Sequence, residues 1–401
     1  MIISPQFKKN ILKAVLKYGT PSYIYSKDIL EDNIYKYKKS FRDVNVLFCY
    51  ALKANSNRVL LKIISKNGFG ADVVSIGEML SALSSGFDKK KIIFSGVGKT
   101  YEELSVAADK EILFINVESF EELKVLSKIS VLKNKNIGFS IRINPNVDPH
   151  THKYISTGKY GSKFGVSAKE AFEMYKWAKK NKFLVPIAVH FHLGSQIFKY
   201  EAYLQAFLKV EQLIKKLKCL GINIRIIDLG GGWGVKEGEV MTPPDKLAAF
   251  LSTKKENYSF IMEPGRSIVS SCGFFVVKTL YRKKSGVRQI VITDGGMNDF
   301  VRPSLYGARH PVINLNGSNS TVNNFIDIYG PVCESGDFLA KNVNMKVPDR
   351  GDLLCFLSAG AYGYSMSSNY NLRRKPAEIL VSGKEIKLIR KRQNYEDFLE
   401  N

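Results

Sequence analysis

A chain of 401 residues exceeds one ordinary hydrophobic core and predicts two domains. At 45% hydrophobic and 24% charged residues it is globular in composition, which excludes disorder, and no apolar run reaches the length of a membrane span. The net charge of +23 is spread along the chain, and short clusters such as KKLK and RKKSGVR lack interleaved aromatics, so neither a nucleic-acid nor a membrane partner is expected.

Five cysteines, Cys49, Cys219, Cys272, Cys333 and Cys355, are widely spaced with no CxxC. That argues against a disulfide framework or a zinc site and for a reduced, cytoplasmic setting. At the N-terminus, Phe7, Ile11, Leu12, Val15 and Leu16 recur at helical spacing before Gly19 and Pro21. They predict a short docked helix and not a signal peptide.

From Val46 onward short β-rich runs alternate with amphipathic stretches. The runs are VLFCYALK, GADVVS, KIIFSG, LFINVES, IGFSIRINP, PIAVHFHLG, IRIIDLGGG and SFIMEPGR. Between them lie helical segments such as NRVLLKIISKNG, TYEELSVAADK and YLQAFLKVEQLIKKLKCLG, several ending in Gly or Asn. Eight such units predict a (β/α)8 barrel over residues 30–269. A doubly wound sheet would need a GxGxxG after its first strand, and ALKANSN has none. SGVGKT lacks the leading glycine of a Walker A loop, and Thr100 reads instead as a helix N-cap. Beyond residue 270 short strands and Gly-, Pro- and Asn-rich turns predict a C-terminal all-β domain, Greek-key or sandwich-like. Residues 1–29, with PSYIYS, either lend it a strand or lead into the barrel. The Gly- and Lys-rich stretch 151–163 is a candidate lid after the fifth strand.

Chemistry in such barrels collects at the C-terminal strand ends. There the sequence places Lys53, then Asp72 and Ser75, then Arg142, then His190 and His192, then Gly230, Gly231 and Gly232, and finally Glu263, Gly265 and Arg266. Each alone has a bland reading as a surface lysine, a core histidine or a turn. Together they suit one cofactor: glycine amides and Ser195 for a phosphate, Lys53 for an aldehyde, His192 to stack on a ring, Glu263 for a ring nitrogen. Those demands describe pyridoxal 5′-phosphate.

YALKAN, GADVVSIGE, HFHLGSQI, DLGGGWG, EPGRSIV, DGGMNDFVRPSLYGARHP, GPVCESGDFLA and GAYGYSMSSNYN, in this order, resemble the diaminopimelate decarboxylase family, over roughly residues 18–385. The resemblance implies a barrel plus a β domain, residues 1–29 and 270–401, that contributes a Cys-Glu loop and Tyr362. It implies that Lys53 carries the cofactor, that Asp72 and Arg142 line its site, and that His192 stacks on its ring. It further implies that Ser195, Gly232, the stretch Glu263 to Arg266 with Gly265, and Tyr362 hold the cofactor. Arg266, Arg302, Tyr306, Glu334 and Tyr362 would contact the substrate, and Cys333 would donate the proton. The Cys-Glu loop would come from the neighbouring subunit of a homodimer.

The implied reaction is decarboxylation of meso-2,6-diaminopimelate to L-lysine and CO2. Same-fold alternatives are decarboxylation of ornithine, arginine or a carrier-bound amino acid, a racemase, and a non-catalytic regulator. The distal carboxylate of diaminopimelate calls for an arginine fork, for which Arg266 and Arg302 are candidates.

Overall fold

The computed structural model describes residues 3–148, 162–317 and 324–399. The chain divides into two compact units: Ile34–Gly234 with Thr242–Gly265, and Met1–Asn33 with Val235–Met241 and Arg266–Asn401. The proposed lid lies outside the described residues from 151 to 161.

The chain opens with helix α1 (Pro5–Tyr18), strand β1 (Ser22–Ser26) and helix α2 (Lys27–Ser40). The Ser4 side chain accepts from the Phe7 N–H and caps α1, and Pro5 suits the first helical turn, where no N–H is needed. Ile11 and Ala14 are fully buried, and Phe7, Leu12 and Val15 pack beside them. Leu16, expected on the same stripe, is 91% exposed. Five residues past Ile11 it lies about 140° round the helix, outside the apolar face.

The first unit is built on β2 (Val46–Ala51), β3 (Gly70–Val73), β4 (Ile92–Phe94), β5 (Phe114–Val117), β6 (Ile137–Ile143), β7 (Leu184–Phe191), β8 (Ile226–Asp228) and β9 (Ser259–Met262). They close into a barrel in that order, all parallel, with β9 pairing back on β2 through Leu47 and Ile261. Each of the eight apolar runs supplies one strand. Parallel strands covered on both faces require such near-continuous apolar runs. Cys49, Ile93, Phe114, Ala188 and Ile261 meet in a buried cluster within this unit.

Helices α3 (Arg58–Lys66), α4 (Ile76–Ser84), α5 (Tyr101–Lys110), α6 (Phe120–Lys133), α7 (Ala168–Ala178), α8 (Glu201–Cys219) and α9 (Asp245–Ser252) occupy the intervening stretches. Asn57, Ser75, Thr100, Ser119 and Ser167 cap five of them with side-chain acceptors. Thr100 forms a full capping box with Glu103, as its place in GKT predicted. Ser75 is a helix cap as well.

In the second unit a short helix α10 (Arg266–Val269) precedes β10 (Gly273–Ser285) and β11 (Arg288–Thr293). Helix α11 (Arg302–Tyr306) follows, then β12 (Val312–Asn314), β13 (Phe325–Tyr329), β14 (Phe338–Asn344), β15 (Leu353–Phe356), β16 (Ala377–Ser382) and β17 (Glu385–Arg390). The sheet runs β14-β13-β11-β10-β1-β16-β17, with β15 pairing both β10 and β12. The N-terminal PSYIYS stretch does lend it a strand: β1 lies antiparallel to β10 and parallel to β16. Most other pairs are antiparallel. No helix among the described residues is long and apolar enough to cross a membrane.

Candidate active site

The polar residues of the barrel unit gather at the C-terminal strand ends. β2 stops at Ala51, and Lys53 lies in the single 3-10 turn Leu52–Ala54 beyond it, not on the strand itself. Its Nζ donates to Asp72 Oδ2 at 3.1 Å. The Lys53 side chain is 37% exposed and that of Asp72 fully buried, so the lysine is reachable while its counter-ion is shielded. Burial and the nearby Glu263 charge raise the Asp72 carboxyl, and Lys53 pulls the other way.

Arg142 is on β6, where its Nη1 meets Glu118 Oε1 at 2.7 Å with both side chains buried. Glu118 Oε2 accepts from the Gly165 N–H at 2.8 Å. The Arg142 guanidinium also lies over the Phe164 ring, 4.5 Å from its centroid. Glu118, the anion that fixes Arg142, escaped the reading of the sequence; its only signal was a strand-end acid in NVES.

His190 on β7 and His192 just past it share Glu263. His190 Nε2 is 3.3 Å from Glu263 Oε1, and His192 Nδ1 is 3.4 Å from Oε2. The two-residue spacing that puts side chains on one face of a strand accounts for this. The Gly231 N–H donates to His192 Nδ1 at 3.1 Å, so Nδ1 is the unprotonated nitrogen of the ring. Burial and the charge of Arg142 pull His192 down to about 3, which keeps the ring neutral at pH 7. His190 is pulled down as well, by burial first.

Asp228, at the end of β8, is a further buried acid that the sequence reading missed. Its Oδ1 accepts from the Gly230 N–H at 3.0 Å, and a carboxylate oxygen lies within 4.8 Å of a His190 ring nitrogen and a Glu263 carboxylate oxygen. Burial and then the Glu263 charge push its carboxyl well above the usual range. Glu263 is raised by burial too, but Lys53 and Arg142 oppose that.

The glycine cluster departs from expectation. Two of the amides assigned to a phosphate are already engaged, Gly230 by Asp228 and Gly231 by His192. The glycines also serve close packing. A Cβ on Gly231 would lie 2.1 Å from the Glu263 carbonyl oxygen, and one on Gly232 2.1 Å from the Gly194 carbonyl oxygen. Gly232, at φ +104°, is the one of the three whose N–H is not spoken for among the described residues. Ser195 lies in the bend after β7, and Gly265 fits against Ala51 and Ala54, where a Cβ would come within 3.1 Å of both methyls.

Lys99 of SGVGKT is almost fully buried and far from a free phosphate-binding lysine. It pairs with Glu122 at 2.8 Å and donates to the carbonyls of Gly96 and Asn116. Glu122 in turn accepts from the Glu118 N–H at 2.8 Å, so this clamp extends to the Arg142 pair.

The other expected residues belong to the second unit. Arg302 opens α11, is 3% exposed, and pairs with Glu237 Oε1 at 3.1 Å. Burial and the Arg266 charge lower its guanidinium to about 10. Tyr306 is one helical turn further on. The Arg266 guanidinium lies 4.8 Å from the Tyr362 ring centroid. Tyr362 holds φ +56°, an unfavourable region for an aromatic residue and a mark of functional sites. Cys333 and Glu334 are exposed on a loop between β13 and β14, so Cys333 is not the small buried hydrophobe that free cysteine usually is. Glu237 is a third partner that the sequence reading missed.

Buried polar atoms of the barrel site, including Asp72 Oδ1, Asp228 Oδ2, Glu263 Oε1 and both ring nitrogens of His190, make no well-aligned hydrogen bond among the described residues, although His190 Nε2 stands 3.3 Å from Glu263 Oε1 and the Asp228 and Glu263 carboxyls interact. Unpaired buried polar atoms are costly, so their clustering marks a place built for a ligand. A protonated ring nitrogen supplies a well-placed N–H donor for the buried Glu263 carboxylate, and a neutral imidazole beside it suits a flat aromatic face. The residues fit pyridoxal phosphate.

Residues 27–270 match the family model described as pyridoxal-dependent decarboxylase, pyridoxal binding domain. The chain is 43% identical over 387 residues to a diaminopimelate decarboxylase of Aquifex aeolicus, covering 96% of this chain and 91% of that protein. It is 44% identical to one of Helicobacter pylori, covering 95% of each. The crystal structure of the Helicobacter pylori diaminopimelate decarboxylase complexed with L-lysine superposes with a TM-score of 0.92 at 43% identity, over 96% of this chain and 98% of that one.

Proposed function

Because the chain belongs to the diaminopimelate decarboxylase family of pyridoxal-dependent decarboxylases, we propose that its two sets of polar residues divide the work of one reaction. The reaction is decarboxylation of meso-2,6-diaminopimelate to L-lysine and CO2, the last step of lysine biosynthesis, and the enzyme is a carboxy-lyase dependent on pyridoxal 5′-phosphate. The cluster of buried polar groups around Glu263 that lack well-aligned hydrogen bonds is the observation that most supports a cofactor at the barrel mouth.

Bound pyridoxal phosphate supplies a sink for the electron pair left at Cα when CO2 departs. The protein's own groups tune that chemistry. Lys53 provides the amine that holds the cofactor, oriented by Asp72. Glu263 favours the protonated ring nitrogen, as an adjacent negative charge does. His192 presents a neutral ring for stacking, locked by the Gly231 N–H. Asp72 and Arg142 line the site, and Ser195, Gly232, Gly265, Arg266 and Tyr362 hold the cofactor, chiefly its phosphate.

Arg266 and Arg302 serve substrate carboxylates, with Tyr306 and Tyr362 beside them and Glu334 for the distal ammonium. A guanidinium at about 10 is still charged at pH 7, so Arg302 keeps its fork for a carboxylate despite burial. Cys333 Sγ delivers the proton to Cα. The residues implied for one site include Cys333 and Glu334 from the neighbouring subunit, so the working unit is a homodimer, acting in the cytoplasm. Residues 30–269 form the cofactor-binding domain and residues 1–29 and 270–401 the β domain.

Carbon dioxide release measured in parallel on meso-diaminopimelate, ornithine, arginine and lysine tests the substrate. Turnover of meso-diaminopimelate alone is expected. Turnover of any of the other three would overturn the choice.

A further inference from the structure

Cys333 is exposed on a loop, and exposed loop side chains are ordinarily mobile. Its backbone, however, is tied down at several points within its own unit. Asp337, 1% exposed, accepts from the Val332 N–H through Oδ2 and from the Met297 N–H through Oδ1, both at 2.6 Å. The Gly330 N–H donates to the Asp337 carbonyl at 3.0 Å, closing the loop from 330 to 337 on itself. Ser304 of α11 donates to the Gly336 carbonyl at 2.6 Å, which ties the loop to the short helix carrying Arg302 and Tyr306.

Two glycines make room for that carboxylate. A Cβ on Gly330 would lie 2.5 Å from the Asp337 carboxylate oxygens and 2.3 Å from Gly296 Cα, and one on Gly296 would lie 2.6 Å from Oδ1. The last tie is on the cysteine itself. The Cys333 N–H donates to Asn371 Oδ1 at 2.9 Å. Asn371 holds φ +55°, a conformation asparagine tolerates better than most residues because its short amide bonds locally. Backbone strain of this kind is kept where the surroundings fix it.

We propose that Asn371, supported by Asp337, is a positioning residue for the Cys333 thiol: it fixes the cysteine backbone so that Sγ reaches Cα at one place and angle. The proposal rests on the reading of Cys333 as proton donor. Proton transfer is steep in distance, so a donor on a wandering loop transfers slowly even when its acidity is right. A carboxamide on Cys333 N–H leaves the thiol's own chemistry untouched and acts on placement alone.

The test uses the holoenzyme with meso-diaminopimelate and the variants Cys333→Ala, Asn371→Gly and Asn371→Asp. Glycine keeps the left-handed backbone without strain and removes only the acceptor, whereas aspartate keeps both. Asn371→Gly is expected to lower kcat about three- to tenfold, the worth of one hydrogen bond expressed as a rate, with KM within about twofold. The solvent deuterium isotope effect on kcat rises, because proton delivery becomes more rate-limiting. Asn371→Asp restores both. An Asn371→Gly enzyme with unchanged kcat and isotope effect, set against an impaired Cys333→Ala enzyme, overturns the proposal and leaves the role of Cys333 standing. An unimpaired Cys333→Ala enzyme overturns that role as well. A loss of activity in Asn371→Gly that follows a loss of dimer or of thermal stability, with no change in isotope effect, also refutes positioning.

Discussion

Lys99 offers a quantitative check on the framework behind Arg142. Replacing it with methionine keeps the length and apolar stem but removes a buried ammonium. Glu122 then remains in an apolar setting without its cation, with its second oxygen on the Glu118 N–H, and the Gly96 and Asn116 carbonyls lose a donor. Removing one partner of a buried pair costs about 3–5 kcal/mol, mostly from the charge left behind. For a unit the size of the barrel, about 2–4 °C of melting temperature goes with each kcal/mol, so Lys99→Met is expected to melt about 6–20 °C lower. Glu122→Gln alone leaves the ammonium buried without a counter-ion and is expected to cost about as much. In Lys99→Met/Glu122→Gln neither charge is orphaned, and the loss shrinks to about 1–3 kcal/mol, a coupling of the kind found between residues in contact. Melting of the four proteins by circular dichroism at pH 7, with cofactor bound, reads all of this. A Lys99→Met protein within about 2 °C of the parent, or single losses that simply add in the double variant, would falsify the account of Lys99 as a clamp.

Lys53→Ala is expected to abolish the visible absorbance band of the purified enzyme, while Arg302→Ala keeps it and raises KM for meso-diaminopimelate; equal loss of cofactor and substrate in Arg302→Ala would make that arginine structural. Gly231→Ala, which drives a methyl toward the Glu263 carbonyl, is expected to lower cofactor affinity more than tenfold, measured by equilibrium dialysis; unchanged affinity would show that the strand ends yield. His310 is buried, donates through Nδ1 to the Leu357 carbonyl, and is lowered to about 3 by burial and the Arg302 charge. Its folded pKa is depressed below the unfolded value near 6.5, so its contribution is complete above pH 6.5 and is lost as pH falls toward 3, by about 2 kcal/mol at pH 5. Glu78 and Asp299, each raised to about 7 mainly by burial, work in the opposite sense, their contribution being lost as pH rises from about 4 to 7. The melting temperature of His310→Asn should therefore fall less between pH 7 and pH 5 than that of the parent, and parallel curves would refute the assignment.

The barrel was legible because its strands are apolar on both faces and need no partner to be recognised. The edges of the second unit were not. FLAKNVN and EIKLIR mix lysine and asparagine into β14 and β17, whose outer faces are exposed, and the resulting pattern is weak. The residues at strand ends announced themselves by type, but their partners did not. Glu118, Glu122, Asp228, Glu237 and Asn371 are ordinary polar residues in sequence, and each acquires its role from a neighbour more than twenty residues away, Glu263 in the case of Asp228. The glycine cluster was recognised and its purpose partly misread: strand-end packing, which no linear pattern encodes, had already claimed two of its amides. The Cys333 loop carried meaning only through the resemblance, since nothing in GPVCESGD alone separates it from a turn.

The position of β1 bears on how the chain comes into being. It leaves the ribosome before any barrel strand, yet its sheet neighbours are β10 and β16, which begin at Gly273 and Ala377. All eight barrel strands, 46 to 262, are synthesised in between. The barrel can thus close cotranslationally, while SYIYS, a fully buried strand in the finished protein, waits unpaired with its tyrosines uncovered. During that interval it is an exposed apolar edge of the sort chaperones retain. Removal of a few C-terminal residues past β16 would spare it, a nonsense codon before Ala377 would leave it paired on the β10 side alone, and one before Gly273 would leave a closed barrel tethered to a strand with neither sheet neighbour.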